Sequence, residues 1–328
     1  MRSFKNGLKW FASSAFLLAF LVFFHAWASG QTYPDKPITL YCGYEAGATT
    51  DMTTRALAKG AEKWLGVPVV VENKPGGASS VCAALVASKK ADGYTLGVID
   101  SFGSLTARPH LMPAPYKPLE DFTFVMQYGR YVGAICVLAE SPLKTIDEFI
   151  TYAKAHPGLS YGSAGMLSRG HIAVEIFAQC KGLTFKHVPF KGGAEADTAL
   201  LGKHLDFVGG SGGHIPYVKQ GVFRMLMVFS MEKRDPHFPD IPMQKDLGCE
   251  DVPPNSYLLI GPRGLPDPIF NKVHDAFKKA SEQPEFQKIM EAQYLPYEYK
   301  GRAQLEKEVP AQFEWYKTML QQWGIGKK

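Results

Sequence analysis

The chain has 328 residues, 46% hydrophobic and 20% charged, with a formal net charge of +5. That is ordinary globular composition at a length that suggests about two domains. Lys and Arg never cluster beyond two in sequence, so nothing in the charge supports a nucleic-acid partner.

Residues 1–28 read as a secretory signal peptide cleaved near Ala28. Arg2, Lys5 and Lys9 precede an apolar stretch, and Ala26 and Ala28 form an A-x-A pattern before Ser29. A membrane anchor is the alternative, but Ser13, Ser14 and His25 leave the run short of the roughly 20 apolar residues a span needs. Removing those three cations from +5 leaves +2. The mature protein is therefore expected to be soluble in an exported compartment. No cysteine stands at the cleavage point, which argues against a lipoprotein. Cys42, Cys82, Cys136, Cys180 and Cys249 form no C-x-x-C pair. Their odd number leaves at least one free thiol in an exported chain, and most read as buried small apolar side chains.

The elements alternate. A buried strand is predicted at 36–44, a helix at 49–66 ending at Gly66, a short β-branched buried strand at 67–73, a helix at 81–91 and a strand within 92–100. Residues 101–130 read as irregular, with Pro109, Pro113, Pro115 and Pro118. A strand follows at 131–140, and then helix 145–158, strand and turn 159–165, helix 168–182, strand 185–190, helix 192–204, strand and turn 205–213 and strand 222–230. Residues 257–266 cross back, and two helices close the chain near 267–281 and 303–323. Strands separated by helices imply parallel pairing with right-handed crossovers. The same grammar in both halves predicts two α/β lobes with a cleft at the carboxyl ends of their strands.

Two turns carry the chemistry. EAGATTD (45–51) lies between strand and helix, rich in backbone donors and in the hydroxyls of Thr49 and Thr50, with Asp51 placed to cap the helix. It lacks the lysine of a phosphate loop, and by itself it also reads as a plain tight turn. YGSAGMLSRGH (161–171) repeats the design in the second half and adds Arg169. A carboxylate between two helix N-termini needs no buried lysine. HVPFKGGAEA (187–196) is a third strand end, where Phe190 either lines a cleft or packs and His187 reads as a core histidine. GGSGG (209–213) matches the nucleophile elbow G-x-S-x-G, which makes a hydrolase using Ser211 the competing enzymatic reading. Glycine-only matches are cheap in a chain with 32 glycines, and Pro216 breaks the helix that should follow. The histidines show no metal-binding spacing and no stretch resembles a cofactor fingerprint, so neither metal nor cofactor is expected.

Taken together, YPDKPITL (33–40), AGATTDMTTRALA (46–58), LGVPVVVENKPGG (65–77), ADGYTL (91–96), YGSAGMLSRGH (161–171) and HVPFKGGAEA (187–196) resemble the extracytoplasmic solute-binding proteins of tripartite tricarboxylate transporters, the TctC or Bug family. The resemblance runs from about residue 33 to the C-terminus. It implies a type II periplasmic binding protein fold, α/β, with two lobes joined by two crossover strands: residues 29–132 with 256–328, and residues 133–255. It further implies a periplasmic monomer without catalysis that delivers a small carboxylate to a two-subunit membrane permease. A sensory binding protein feeding a two-component system is not separable from it by sequence. Carried over by position, the ligand-binding residues are Tyr44, Ala46, Gly47, Ala48, Thr49, Thr50 and Asp51 in lobe one and Ser163, Ala164, Gly165, Ser168 and Arg169 in lobe two. Gly76, Asp100, Ser101, Phe190, Lys191, Gly192, Gly210 and Ser211 complete the cleft. The chain departs from the family at Gly43-Tyr44, Ala48, Phe190, Gly209-Gly210 and Arg169. Arg169 and Tyr44 suit a second carboxylate or an aromatic ring, and the glycines at 209–213 suit bulk.

Overall fold

The computed structural model describes residues 33–166, 168–210, 213–229, 234, 237–250, 252–322 and 324. The first half runs β1 (Ile38–Cys42), α1 (Thr49–Leu65), β2 (Val69–Asn73), α2 (Ser80–Ala87), β3 (Thr95–Asp100) and β4 (Phe122–Arg130). The second runs β5 (Gly133–Leu138), α3 (Ile146–Ala155), β6 (Leu159–Ser163), α4 (Arg169–Lys181), β7 (Phe185–Pro189), α5 (Gly193–Leu201), β8 (Phe207–Gly210), α6 (Ile215–Lys219) and β9 (Phe223–Phe229). The chain then returns through β10 (Ser256–Pro262), α7 (Asp267–Ser281), α8 (Pro284–Ala292), β11 (Tyr297–Gly301) and α9 (Arg302–Gln322).

The strands form two sheets, ordered β11-β4-β10-β3-β1-β2 and β7-β6-β8-β5-β9. In the first, β1 pairs in parallel with β2 and β3, and β10 runs antiparallel to β3 and β4. In the second, β6 pairs in parallel with β7 and β8, and β5 runs antiparallel to β8 and β9. Each lobe is thus a parallel three-strand unit closed by antiparallel strands, and the two sheets are bridged by β4→β5 and by the return from β9 to β10. The arrangement is the expected two-lobe α/β fold.

Local signals account for the element ends. Gly66 ends α1 in the left-handed region (φ 78°), where its N–H meets Glu62 O and a side chain would be strained. Thr145 and Glu148 form a reciprocal capping box on α3. The lobe-one core sets Leu57, Ala61 and Leu65 of α1 against Val273 and Phe277 of α7, all at most 4% exposed. Each such large side chain contributes roughly 1.5–3 kcal/mol by leaving water.

Three expectations need correction. β2, expected to be buried, alternates buried and exposed because it lies at the sheet edge. The segment expected to be irregular holds a π-helical turn (Phe102–Thr106), a 3-10 turn (Arg108–His110) and β4, whose nine residues are all buried. α8 and β11 fill what read as a gap between the last two helices.

The crossovers are tied to each other. The Tyr131 amide donates to Asn255 O (2.9 Å), and the rings of Tyr131 and Tyr257 stack with centroids 4.0 Å apart. α9 adds a noncovalent strap. Leu305 and Val309 join the cluster of Phe122, Phe124 and Ile260 in lobe one, whereas Tyr316 and Leu320 join that of Phe177, Phe207 and Val252 in lobe two. Cys180 and Cys249 form a disulfide that pins the end of α4 to the return crossover, and Cys42, Cys82 and Cys136 are free and buried.

Candidate functional site

In lobe one the loop after β1 delivers the start of α1. Ala48 is the N-cap and contributes no side-chain hydrogen bond. The first helical bond joins the Met52 amide to Ala48 O (3.0 Å), so the amides of Thr49, Thr50 and Asp51 precede the helical ladder. Asp51 caps the helix start as expected, although Ala48 is the N-cap residue. It sits inside the first turn and folds back, accepting the Gly47 amide (2.9 Å), the Arg55 guanidinium (3.1 Å) and the Asn73 amide (2.7 Å). Burial alone would push its carboxyl up, but these bonds outweigh it and hold the acid below its usual range. Gly47 has φ +82°, a conformation a side chain resists, and the turn needs it to bring its N–H onto Asp51. Ala46 and Gly47 are exposed and Ala48 half-buried.

The hydroxyls and acids of lobe one turn inward. Thr50 is buried and its Oγ1 lies 2.8 Å from the Tyr131 hydroxyl. Thr49 Oγ1 reaches Gln293 Oε1 at 3.4 Å. Asp100, at the end of β3, is 1% exposed. It accepts the Tyr44 hydroxyl (2.6 Å), the Ser79 hydroxyl (2.8 Å) and the Gly103 amide. Burial pushes its carboxyl up while these donors pull it back. Ser101 Oγ accepts the Ser256 amide (2.9 Å) and so serves the crossover. Gly76 lies in the exposed 74–77 turn against Val81.

In lobe two Ser168 is the N-cap of α4, taking the His171 amide at 3.4 Å and donating to Ser163 Oγ at 3.1 Å. Ser163 Oγ donates to Gly165 O (3.0 Å) and lies 2.7 Å from His187 Nε2. Ala164 and Gly165 are half-buried and Met166 is 60% exposed at the loop tip. Arg169 opens α4 and is 3% exposed. Its guanidinium lies against Gly133, where an added Cβ would stand 2.3 Å from Nη1, so a side chain at the first residue of β5 would force the guanidinium to shift. Phe190 is half-buried against the α5 side of the sheet, and its amide donates to Ser163 O (3.1 Å). Lys191 is exposed with its amide on Glu195, Gly192 is the N-cap of α5, and Gly210 ends β8 facing His214. Ser211, and with it the hydrolase reading, lies outside the described residues.

The sequence reading missed the support behind these loops. The imidazoles of His171 and His187 stack 4.0 Å apart, and burial lowers both to about 4, so both are neutral at neutral pH. Asp197 on α5, 2% exposed beside Gly213, is pushed up to about 7 by burial. Asn73 also holds Tyr44 O (2.9 Å). Its place in the ENKPGG stretch at a strand end was the one available signal. Among the described residues no group of His, Cys, Asp and Glu is arranged to hold a metal ion.

Both chemistry-bearing loops therefore stand at the carboxyl ends of the inner parallel strands, each opening a helix with its amides forward. A family profile described as tripartite tricarboxylate transporter family receptor, TctC, matches residues 53–325. The chain belongs to the TctC family. A UPF0065 protein from the gbd 5′ region of Cupriavidus necator is 39% identical over 266 residues, covering 81% of this chain and 80% of that protein. A TctC solute-binding protein from Polaromonas, solved without ligand, superposes with a TM-score of 0.74 at 28% identity, covering 89% of this chain and 100% of that one. MatC from Rhodopseudomonas palustris, solved with bound malate, gives a TM-score of 0.74 at 24% identity over 88% of this chain and 100% of that one, a likeness of fold alone. TctC proteins are periplasmic solute receptors that bind small carboxylates. No helix among the described residues is long and apolar enough to cross a membrane.

Proposed function

We propose that this TctC protein captures a small carboxylate between its lobes and delivers it to the membrane subunits of a tripartite tricarboxylate-type transporter. One observation carries the reading: α1 and α4, the helices that follow the inner strands β1 and β6, both begin at the carboxyl ends of those strands and so point their N-termini from the same edge of each sheet. Helix N-termini stabilise an anion through N–H groups and the helix dipole, without a lysine. The lobe-two loop adds a buried cation in Arg169 and two neutral imidazoles, so it opposes no anion. Closure about the 130–133 and 254–256 crossovers would complete the shell, with binding energy favouring the closed state. The Cys180–Cys249 bond supports export, because structural disulfides persist in oxidising compartments.

Thermal-shift screening of the mature protein against mono-, di- and tricarboxylates, aromatic ones included, tests this. A ligand at a hundredfold excess over its Kd adds about 2.7 kcal/mol and raises the Tm. Shifts from neutral sugars with none from any carboxylate would overturn the reading.

A further inference from the structure

We infer that Tyr294 is a positioning residue: it clasps lobe one to lobe two beside the candidate site and so sets how closely the two lobes stand. The clasp acts on the lobes and is indifferent to which ligand they hold.

Tyr294 follows α8 in lobe one. Its amide meets Glu291 O (2.8 Å), the Leu295 amide meets Met290 O (2.8 Å), and its own φ is +51°. This is the left-handed position just past a helix end, which glycine fills without strain and a tyrosine does not. The ring carried there reaches the other lobe. Lys219, the last residue of α6, holds its ammonium 4.9 Å from the Tyr294 ring centroid and 4.7 Å from that of Phe238. The His237 imidazole meets the same tyrosine edge to face, with centroids 5.9 Å apart. Tyr294 also packs against the lobe-two cluster that holds Ile215 and Phe238. A cation shared by two ring faces, with a third ring edge-on, ties lobe-one and lobe-two side chains together.

The turn that carries Tyr294 also touches the site and a crossover. Gln293 Oε1 lies 3.4 Å from the hydroxyl of Thr49, the first residue of α1. Pro296 O accepts the Arg130 amide at the end of β4 (3.4 Å). In lobe two, α6 comes after the carboxyl end of β8, which runs parallel to β6, so it lies at the sheet edge where α4 begins. The crossovers and α9 join the lobes by continuous chain and persist at any lobe angle. The Tyr294 contact joins separate elements and exists only when α6 and α8 are close. Such a contact favours the closed arrangement equally for every ligand. Deleting it lowers the closed fraction, and each apparent Kd rises by the same factor.

Small-angle scattering of the mature protein without added ligand tests the clasp directly. Tyr294→Gly suits the helix end and deletes the ring, and Lys219→Ala removes the exposed cation. Each is expected to enlarge the radius of gyration, whereas Tyr294→Phe keeps the wild-type value. Urea denaturation confirms that each variant is folded, and Lys219→Ala carries the test if Tyr294→Gly is not. Calorimetry with each carboxylate that raises the Tm should show binding weakened about two- to fivefold in both variants, the range of an exposed cation–π contact, with one factor for all ligands. A wild-type radius in the folded variants overturns the inference. So does an enlarged radius in Tyr294→Phe, or a factor that differs between ligands, which would make Tyr294 a ligand contact. Failure of every carboxylate to bind overturns the proposed function and leaves the scattering result to decide the clasp.

Discussion

The Thr50 hydroxyl lies 2.8 Å from the Tyr131 hydroxyl, joining the first turn of α1 to the residue where the chain leaves lobe one. The same Tyr131 stacks on Tyr257 of the return strand β10. A group that touches the amides of α1 therefore sits two contacts away from both crossovers. Tyr131→Phe keeps the stack and deletes the bond. The expected cost is about 1 kcal/mol of stability. Small-angle scattering should show a smaller ligand-induced compaction at saturation. Unchanged compaction would show that Thr50 does not report to the hinge.

Asp197 makes a pH prediction of definite sign. Its folded pKa of about 7 lies above its unfolded value, so the fold prefers the neutral acid. That stability is fully present below about pH 4 and is lost as pH rises through 7. Asp197→Asn should flatten the profile and raise the Tm at pH 8 more than at pH 5. An equal shift at both would place the carboxylate in water.

Asp51 has the opposite sign. Its folded pKa is lowered, so its contribution is present above about pH 4 and is lost as pH falls through the folded value. Asp51→Ala strands the Gly47 amide and removes one of the partners of Asn73, which keeps Tyr44 O and Arg55. It should cost about 1–2 kcal/mol at pH 7, by the measure of lost helix caps, and weaken ligand binding by loosening the loop. Calorimetry and chemical denaturation read the two effects separately.

Gly133→Ala is expected to destabilise by roughly 1–3 kcal/mol, because its Cβ would stand 2.3 Å from Arg169 Nη1 with Phe229 and Gly210 O as the other walls. The double variant Gly133→Ala/Arg169→Met should recover part of that loss in urea unfolding. Additive losses would mean that the backbone, not the guanidinium, sets the constraint.

Where sequence and structure agree, the reason is local. Gly66 and Ser168 mark helix ends by their own chemistry, and the parallel strands β1 and β6 stand between turn signals. β4 was hidden because FTFVMQYGR has no alternation: it is buried on both faces and follows four prolines. The candidate site was placed by which loops end parallel strands. Its side chains could not be assigned that way, because the bonds that turn Asp100, Thr50 and Ser101 inward come from Tyr44, Tyr131 and Ser256, between 56 and 155 residues away. No local pattern encodes a partner at that separation.

The Cys180–Cys249 bond also changes what a cut in the chain means. With a sequence separation of 69 between its ends, it turns the stretch holding β7, α5, β8, α6 and β9 into a covalent ring within lobe two. One protease nick inside that ring linearises it without separating the fragments, which stay joined until the bond is reduced. Nicked protein would run as a single band on a non-reducing gel and as two after thiol treatment. A population damaged outside the cytoplasm would thus keep its full mass, and loss of binding and loss of protein would become separate events.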